Sequence, residues 1–272
     1  MKQGSKQIGK AFLGLALGLV WLIPFYLMLT NSFKTKQEIF TNPLKIPQNF
    51  TLENYPEAFA QLDFMKTLAN SLIITVVSVV IIIVFSAMAA YALERVKSKL
   101  SIVIFMTFVA AMLVPFQSVM IPLITIFGKA QMLNQVGIIF MYLGFGGSMS
   151  IFLYHGAMKS IPRALDEAAI IDGANRWQLF WKVIFPMLKP TTVTVAVLNT
   201  MWIWNDYLLP SLVINSPTTQ TIPLKMFFFF GQYTKQWHLA LAGLVIAILP
   251  VIIFYFFMQK QIIKGVSDGA VK

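Results

Sequence analysis

Apolar runs of about twenty residues recur along the chain with almost no charge inside them, and this leaves few folds open. A bilayer's hydrocarbon core of roughly 30 Å is crossed by about 20 helical residues. In lipid every backbone N–H and C=O must be satisfied by the spanning structure itself, so only helices or a closed barrel cross it. Runs of this length mean helices. With 58% hydrophobic and 11% charged side chains in 272 residues, the chain is also too apolar to hide its surface as a soluble domain. Candidate spans fall at about 11–33, 67–93, 101–127, 135–158, 188–212 and 239–260. They predict an all-α polytopic membrane protein with six transmembrane helices, a single domain over residues 1–272.

Lys and Arg set the orientation, because positively charged loops stay cytoplasmic. The side that holds the N-terminus carries fourteen of the 21 bases: Lys2, Lys6, Lys10, Arg95, Lys97, Lys99, Lys159, Arg163, Arg176, Lys182, Lys189, Lys260, Lys264 and Lys272. Both termini are then cytoplasmic, segments 34–66 and 213–238 are external loops, and 159–187 is a cytoplasmic loop. The net charge of +11 becomes mostly a topology signal, and with no basic patch interleaved with aromatics it does not point to nucleic acid. The surrounding partner is membrane lipid. The N-terminal lysines followed by AFLGLALGLVWLIPFYLMLT resemble a secretory signal, but the apolar stretch is long and no small-residue cleavage pattern follows, so an uncleaved first span is expected. With no cysteine there are no disulfides and no thiolate metal sites.

Ion-coupled carriers place Asp, Glu, Lys or His near mid-membrane, where such groups are costly. Here the spans are nearly bare: His155 sits near the cytoplasmic end of the fourth and Asp206 toward the outer end of the fifth. Energy for uphill transport would have to enter from another subunit. The chain offers no ATP site of its own. Gly4–Ala11, GSKQIGKA, nearly spells a phosphate-binding loop, but Ala11 stands where a hydroxyl must hold magnesium and no strand precedes it. Gly144, Gly146 and Gly147 lack the dinucleotide pattern and read as close helix packing, as does the pair Gly14 and Gly18. Asn49-Phe50-Thr51 matches a glycosylation triplet, of a kind common by chance.

One polar island interrupts the apolar chain: Asp166–Pro190, DEAAIIDGANRWQLFWKVIFPMLKP. Ser160 can cap a helix, Pro162 suits its first turn, Asp166 and Glu167 complement its positive end, and Gly173 suits a left-handed stop after Asp172. Asn175 can cap a second helix, to be broken by Pro186. Leu165, Ala168 and Ala169 share one face, where small side chains would let a partner approach. A structured loop of this kind is either a docking handle or a solvated connector.

The island resembles the signature of inner-membrane permease subunits of ATP-binding-cassette importers, in particular the carbohydrate-uptake group that includes the smaller maltose permease subunit. That signature is EAA, three residues, G, nine residues, then I-x-L-P. This chain reads Glu167-Ala168-Ala169, Gly173, then Val183-Ile184-Phe185-Pro186, and departs only at Val183 and Phe185, which stay hydrophobic. Further similar motifs are SFK at 32–34, FTLENY at 50–55, NSL at 70–72, AAYAL at 89–93, WNDY at 204–207, GQY at 231–233 and the tail KGVSDGAVK. The resemblance implies a coupling helix seated on a cytoplasmic ATPase, with Asp166, Glu167, Ala168, Ala169, Asp172, Gly173 and Pro186 in the coupling loop. It also implies a second homologous permease, two ATPase subunits that carry ATP and magnesium, and an extracellular solute-binding protein. This chain would then be a non-catalytic subunit in a bacterial plasma membrane, binding no cofactor.

For the solute pathway, Thr192, Asn199, Trp202 and Asp206 recur at helical spacing on the fifth span, with Asn205 alongside. Two readings stand: a pathway stripe, where aromatic rings face a sugar and Asn and Asp bond its hydroxyls, or interfacial anchors. Gln117 and Ser118 between Pro115 and Pro122 form a second candidate, where the prolines also suit a simple kink. Gly231, Gln232 and Tyr233 resemble the family's loop toward the binding protein, against a loop packed over the pore. The expected cargo is a sugar, preferably an oligosaccharide. A glycerol phosphate or other polyol permease, an ion-coupled secondary transporter, and a membrane scaffold or receptor are the alternatives.

Overall fold

The computed structural model describes the backbone of residues 2–230 and 236–270 and the side chains of 12–230 and 236–259. Helices follow one another along the chain: α1 (Lys2–Ser32), α2 (Lys36–Thr41), α3 (Asn54–Gln61), α4 (Phe64–Arg95), α5 (Lys99–Ala111), α6 (Phe116–Lys129), α7 (Gln135–Met158), α8 (Ala164–Ile171), α9 (Arg176–Met187), α10 (Lys189–Asn205), α11 (Leu208–Val213), α12 (Ile222–Met226) and α13 (Trp237–Ala270). No strand occurs among the described residues.

Four stretches are long and apolar enough to cross a membrane: Phe12–Ser32, Phe64–Arg95, Gln135–Met158 and Trp237–Gln259. The number rises to six only if two bent helix pairs each count as one span. The stretch 101–127, read as one span, is instead α5 and α6 meeting at 105°. Pro115 explains the corner. It has no N–H to donate back and disfavours helical backbone at Val114. Its own backbone is extended at φ −68°, ψ 141°, and it stands as the residue that starts α6. The stretch 188–212 is also divided. α10 ends at Asn205 after 17 residues, about 26 Å of helix, and meets α9 at 76°. Asp206 then turns extended, and its Oδ1 accepts from the N–H groups of Leu208 (3.0 Å) and Leu209 (3.4 Å) to restart the chain as α11.

The chain divides into two compact units, residues 1–64 with 225–253 and residues 65–224 with 254–272. In the first, the segment after α1 is organised by a buried lysine. Lys34 Nζ donates to Asn31 Oδ1 (2.9 Å) and to the carbonyl of Asn42 (2.8 Å), while Asn54 Nδ2 donates to the carbonyls of Ser32 and Lys34. Burial lowers the pKa of this ammonium, and the nearby Glu38 carboxylate partly offsets the shift. Elsewhere in this unit Leu62, Met226 and Phe229 close around Gly243, where a Cβ would lie 3.1–3.2 Å from all three. α1 keeps its apolar residues outward, with Phe12 73% and Trp21 76% exposed. Gly14 and Gly18 have no atom within 4 Å of where a Cβ would stand, so the close packing expected of this pair has no partner among the described residues.

The second unit is built around α7, on which α5, α10 and α11 pack. Its core holds Ile82, Ile138, Tyr142, Tyr154, Met158, Ile184, Leu188 and Val195, all at most 2% exposed. Close approach of the helices is permitted by Gly146, as expected of the glycine cluster. A Cβ there would stand 2.5 Å from Asn199 Oδ1 and 2.8 Å from Ile82 Cδ1. No such crowding surrounds Gly144.

Candidate functional site

The polar island is a helical elbow. α8 runs from Ala164 to Ile171, with Asp166 and Glu167 in its first turn against the positive end of the helix. Its start lies later than the sequence suggested. Arg163, not Ser160, is the cap position, and Ser160 Oγ donates back to the carbonyl of Ala157 (2.7 Å). Asp172 ends α8, and Gly173 follows at φ +82°, a left-handed backbone that only glycine adopts without cost. Asn175 then caps α9 in a reciprocal box: its Oδ1 accepts from Gln178 N (2.9 Å), and Gln178 Oε1 accepts from Asn175 N (3.0 Å).

Pro186 was expected to break the second helix, yet α9 passes through it to Met187. The reason lies just upstream. Leu179–Ile184 is π-helical, and Phe185 N–H bonds the carbonyl of Phe180, five residues back. Widening the helix by this register change lets it admit a residue without an N–H. Trp181 stacks edge-on against Phe180 (5.0 Å) and Phe185 (4.9 Å), which fixes this turn. The chain corners one residue later, at Leu188, which is 1% exposed.

Which face of the elbow is free differs from the expectation. Ala169 is 8% exposed and Leu165 packs partly on the core, so only Ala168 of that trio is exposed. The outward surface includes Glu167, Ala168, Ile170, Ile171 (84% exposed) and Trp177 (61%), with Asp172, Gly173, Asn175 and Arg176 exposed at the turn between them. Large apolar side chains are thus held outward on an otherwise polar loop, the kind of exposed patch that marks a candidate interaction site.

Asp166 turns inward. Its Oδ2 lies 2.5 Å from Arg95 Nε, and Arg95 Nη2 donates to its Oδ1 at 3.2 Å. Arg95 also donates to the carbonyl of Ile161, and Arg163 Nη2 donates to the carbonyl of Glu94 (2.9 Å), so the C-terminal end of α4 grips the elbow at several points. Beside this, His155 Nε2 lies 3.2 Å from Glu94 Oε2. Arg95 and Arg163 were counted only as topology charges, and Asp166 was read without its partner. A basic residue ending one span and an acid opening a later loop were the only signals available.

The stripe on α10 faces α7 at three levels. Tyr154 Oη donates to Thr192 Oγ1 (3.0 Å), Asn199 Nδ2 donates to Ser150 Oγ (3.1 Å), and Tyr142 Oη donates to Asp206 Oδ2 (2.9 Å). Asn199 is 7% exposed and also donates to the carbonyl of Val195. Within this unit these groups are satisfied by one another. Trp202, 41% exposed, meets the Tyr142 ring edge-on at 5.3 Å, and Asn205 is exposed with its amide donating to the carbonyl of Met201. Gln117 lies exposed in the first turn of α6, just past the corner. Gly231, Gln232 and Tyr233 lie outside the described residues. Asn70 ties the segment before α12 to the bundle, donating to the carbonyls of Thr218 (3.0 Å) and Gln220 (3.1 Å).

Long apolar helices, two sharply bent helix pairs and an elbow with outward apolar side chains define a multi-pass helical membrane protein. Residues 82–268 match the model of the family described as binding-protein-dependent transport system inner membrane component, and the chain belongs to that family. It is a permease of the ABC-transporter type, resident in the plasma membrane. Among its relatives is the probable starch degradation products transport system permease protein AmyC of Thermoanaerobacterium thermosulfurigenes, 58% identical over 96% of this chain and 95% of that one. The multiple sugar-binding transport system permease protein MsmG of Streptococcus mutans is 36% identical over 94% and 93% of the two chains. A chain from the crystal structure of a bacterial ABC transporter involved in import of the acidic polysaccharide alginate superposes with a TM-score of 0.81 at 25% identity, covering 96% of this chain and 97% of that one.

Proposed function

We propose that this permease carries α-linked gluco-oligosaccharides of the kind released from starch. The 58% identity to a probable permease for starch degradation products, over nearly the whole of both chains, is the observation that supports this cargo. The chain is a non-catalytic subunit with six spans, the two bent helix pairs counting as one span each, and with both termini cytoplasmic. It pairs with a second homologous permease and receives its cargo from an extracellular solute-binding protein. Two cytoplasmic ATPases hold ATP and magnesium. The elbow of α8 and α9 seats on one of them through Glu167, Ala168, Ile171 and Trp177, with Gly173 keeping the turn tight.

Movement of the elbow reaches the bundle by two routes. One is the Arg95–Asp166 ion pair to α4, and the other is the continuous path through α9 and Leu188 into α10. Because Thr192, Asn199 and Asp206 are paired with α7, the candidates of that stripe left to meet a sugar are Trp202 and Asn205, with Gln117 just past the α5–α6 corner as a further candidate. A ring face and an amide suit a neutral polyhydroxylated solute.

Deletion of the gene followed by uptake of labelled maltotriose tests the reading. Loss of uptake restored by the wild-type gene is the expected result, and undiminished uptake of every malto-oligosaccharide in the deletion strain would refute the cargo.

A further inference from the structure

Where α4 ends, α5 begins and α7 ends, a cleft of about 490 Å³ opens. Lys97, Lys99 and Lys159 line it, against a single acid, Glu94. That acid is engaged with His155 at 3.2 Å. All three lysines are exposed, and none takes part in an ion pair among the described residues. The start of α5, capped by Ser98 Oγ on Ser101 N (3.1 Å), turns its positive end toward the same opening.

The remaining wall is apolar and points along the span. Phe105 stacks on the His155 ring at 4.0 Å and closes the floor. Ile102 (61% exposed) and Met106 (55%) continue from it along one face of α5 toward the hydrocarbon. A small soluble anion would use the lysines and leave this wall bare. A molecule with both an anionic head and an acyl chain would use both parts. Lysine clusters at the ends of spans sit at headgroup depth, and basic pockets between transmembrane helices suit anionic lipid.

We propose that this cleft binds one anionic phospholipid, its phosphate held by Lys97, Lys99 and Lys159 and its acyl chain lying along Ile102 and Met106. The site is separate from the elbow's outward surface and from the α7–α10 pairing, and it does not depend on which sugar is carried.

The test uses the full chain in its native assembly, purified in mild detergent, stripped of lipid and titrated with phosphatidylglycerol, phosphatidylcholine or inorganic phosphate. Native mass spectrometry reads lipid retained on this subunit, and acetylation reads protection of the three lysines. Phosphatidylglycerol is retained over phosphatidylcholine and protects the lysines. Retention falls about fivefold for each lysine changed to glutamine. The triple change Lys97→Arg, Lys99→Arg, Lys159→Arg keeps binding, which separates loss of charge from loss of fold. Equal retention of the two lipids, or undiminished retention by the triple glutamine variant, overturns the proposal. Protection by inorganic phosphate as complete as that by phosphatidylglycerol assigns the site to a soluble anion and overturns it equally.

Discussion

Tyr142 Oη donates to Asp206 Oδ2 across 2.9 Å and ties α7 to the residue that ends α10. Removing the hydroxyl with Tyr142→Phe keeps the edge-on contact with Trp202 and deletes only this bond. Interhelical hydrogen bonds in membrane proteins are worth about 0.6–1.7 kcal/mol, so a reduction of that size in unfolding free energy is expected. Thermal unfolding in detergent measures it, and an unchanged midpoint would show that the bond carries no weight.

Gly146 and Asn199 are coupled through space. A methyl group at Gly146 meets Asn199 Oδ1 at 2.5 Å, so Gly146→Ala should destabilise by about 1–3 kcal/mol. Trimming the neighbour with Asn199→Ala relieves that contact, and the double variant should lose less than the sum of the two singles by at least about 0.5 kcal/mol. Strict additivity would place the crowding elsewhere, at Ile82.

Gly173 separates backbone strain from external contact. Its φ of +82° costs most other residues about 1–2 kcal/mol locally, while a Cβ there has nothing within 4 Å among the described residues. Gly173→Asn, which tolerates the left-handed region, should keep most sugar uptake. Gly173→Leu should abolish uptake with the protein still present at normal abundance, because the bulk meets the docked ATPase. Normal uptake by Gly173→Leu in an uptake assay would show that no partner packs against this turn.

The grip of Arg95 on Asp166 can be loosened without touching the docking surface. Arg95→Ala should leave ATPase association intact and lower uptake by about fivefold or more, the scale of a coupling free energy. Lysine cannot copy the planar fork that reaches both Asp166 and the Ile161 carbonyl, so Arg95→Lys should recover only part of the loss. Parallel uptake and ATP-hydrolysis measurements distinguish uncoupling from failed assembly.

Ile171 is 84% exposed and contributes little to this chain's own core. Ile171→Asp should therefore leave thermal stability within about 0.5 kcal/mol of wild type and abolish co-purification of the ATPase. Retention of the ATPase by this variant would move the docking surface off α8.

Much of the fold was legible in the sequence because hydropathy alone marks a long uninterrupted helix, as for Phe64–Arg95 and Gln135–Met158. The same measure sums alike over a straight helix and over one cornered by 105°, so the α5–α6 break at Pro115 was hidden. Local backbone rules located Gly173 and Asn175 well, since both act through their own immediate neighbours. They failed at Ser160 and Pro186, where the outcome depended on how α8 docks on α4 and on a π-helical register. Helical spacing placed Thr192, Asn199 and Asp206 on one face of α10. It could not say that the face would meet Tyr154, Ser150 and Tyr142 of α7.

Those three bonds are spaced seven and seven residues apart along α10, but four and eight apart along α7. At about 1.5 Å per residue the teeth on one helix do not repeat at the pitch of the other. Sliding α10 by one turn therefore cannot re-form all three at once, as a key cut with uneven teeth turns in one position alone. The two helices have one register in which all three bonds close together, so a slide of one along the other has to give up the full set.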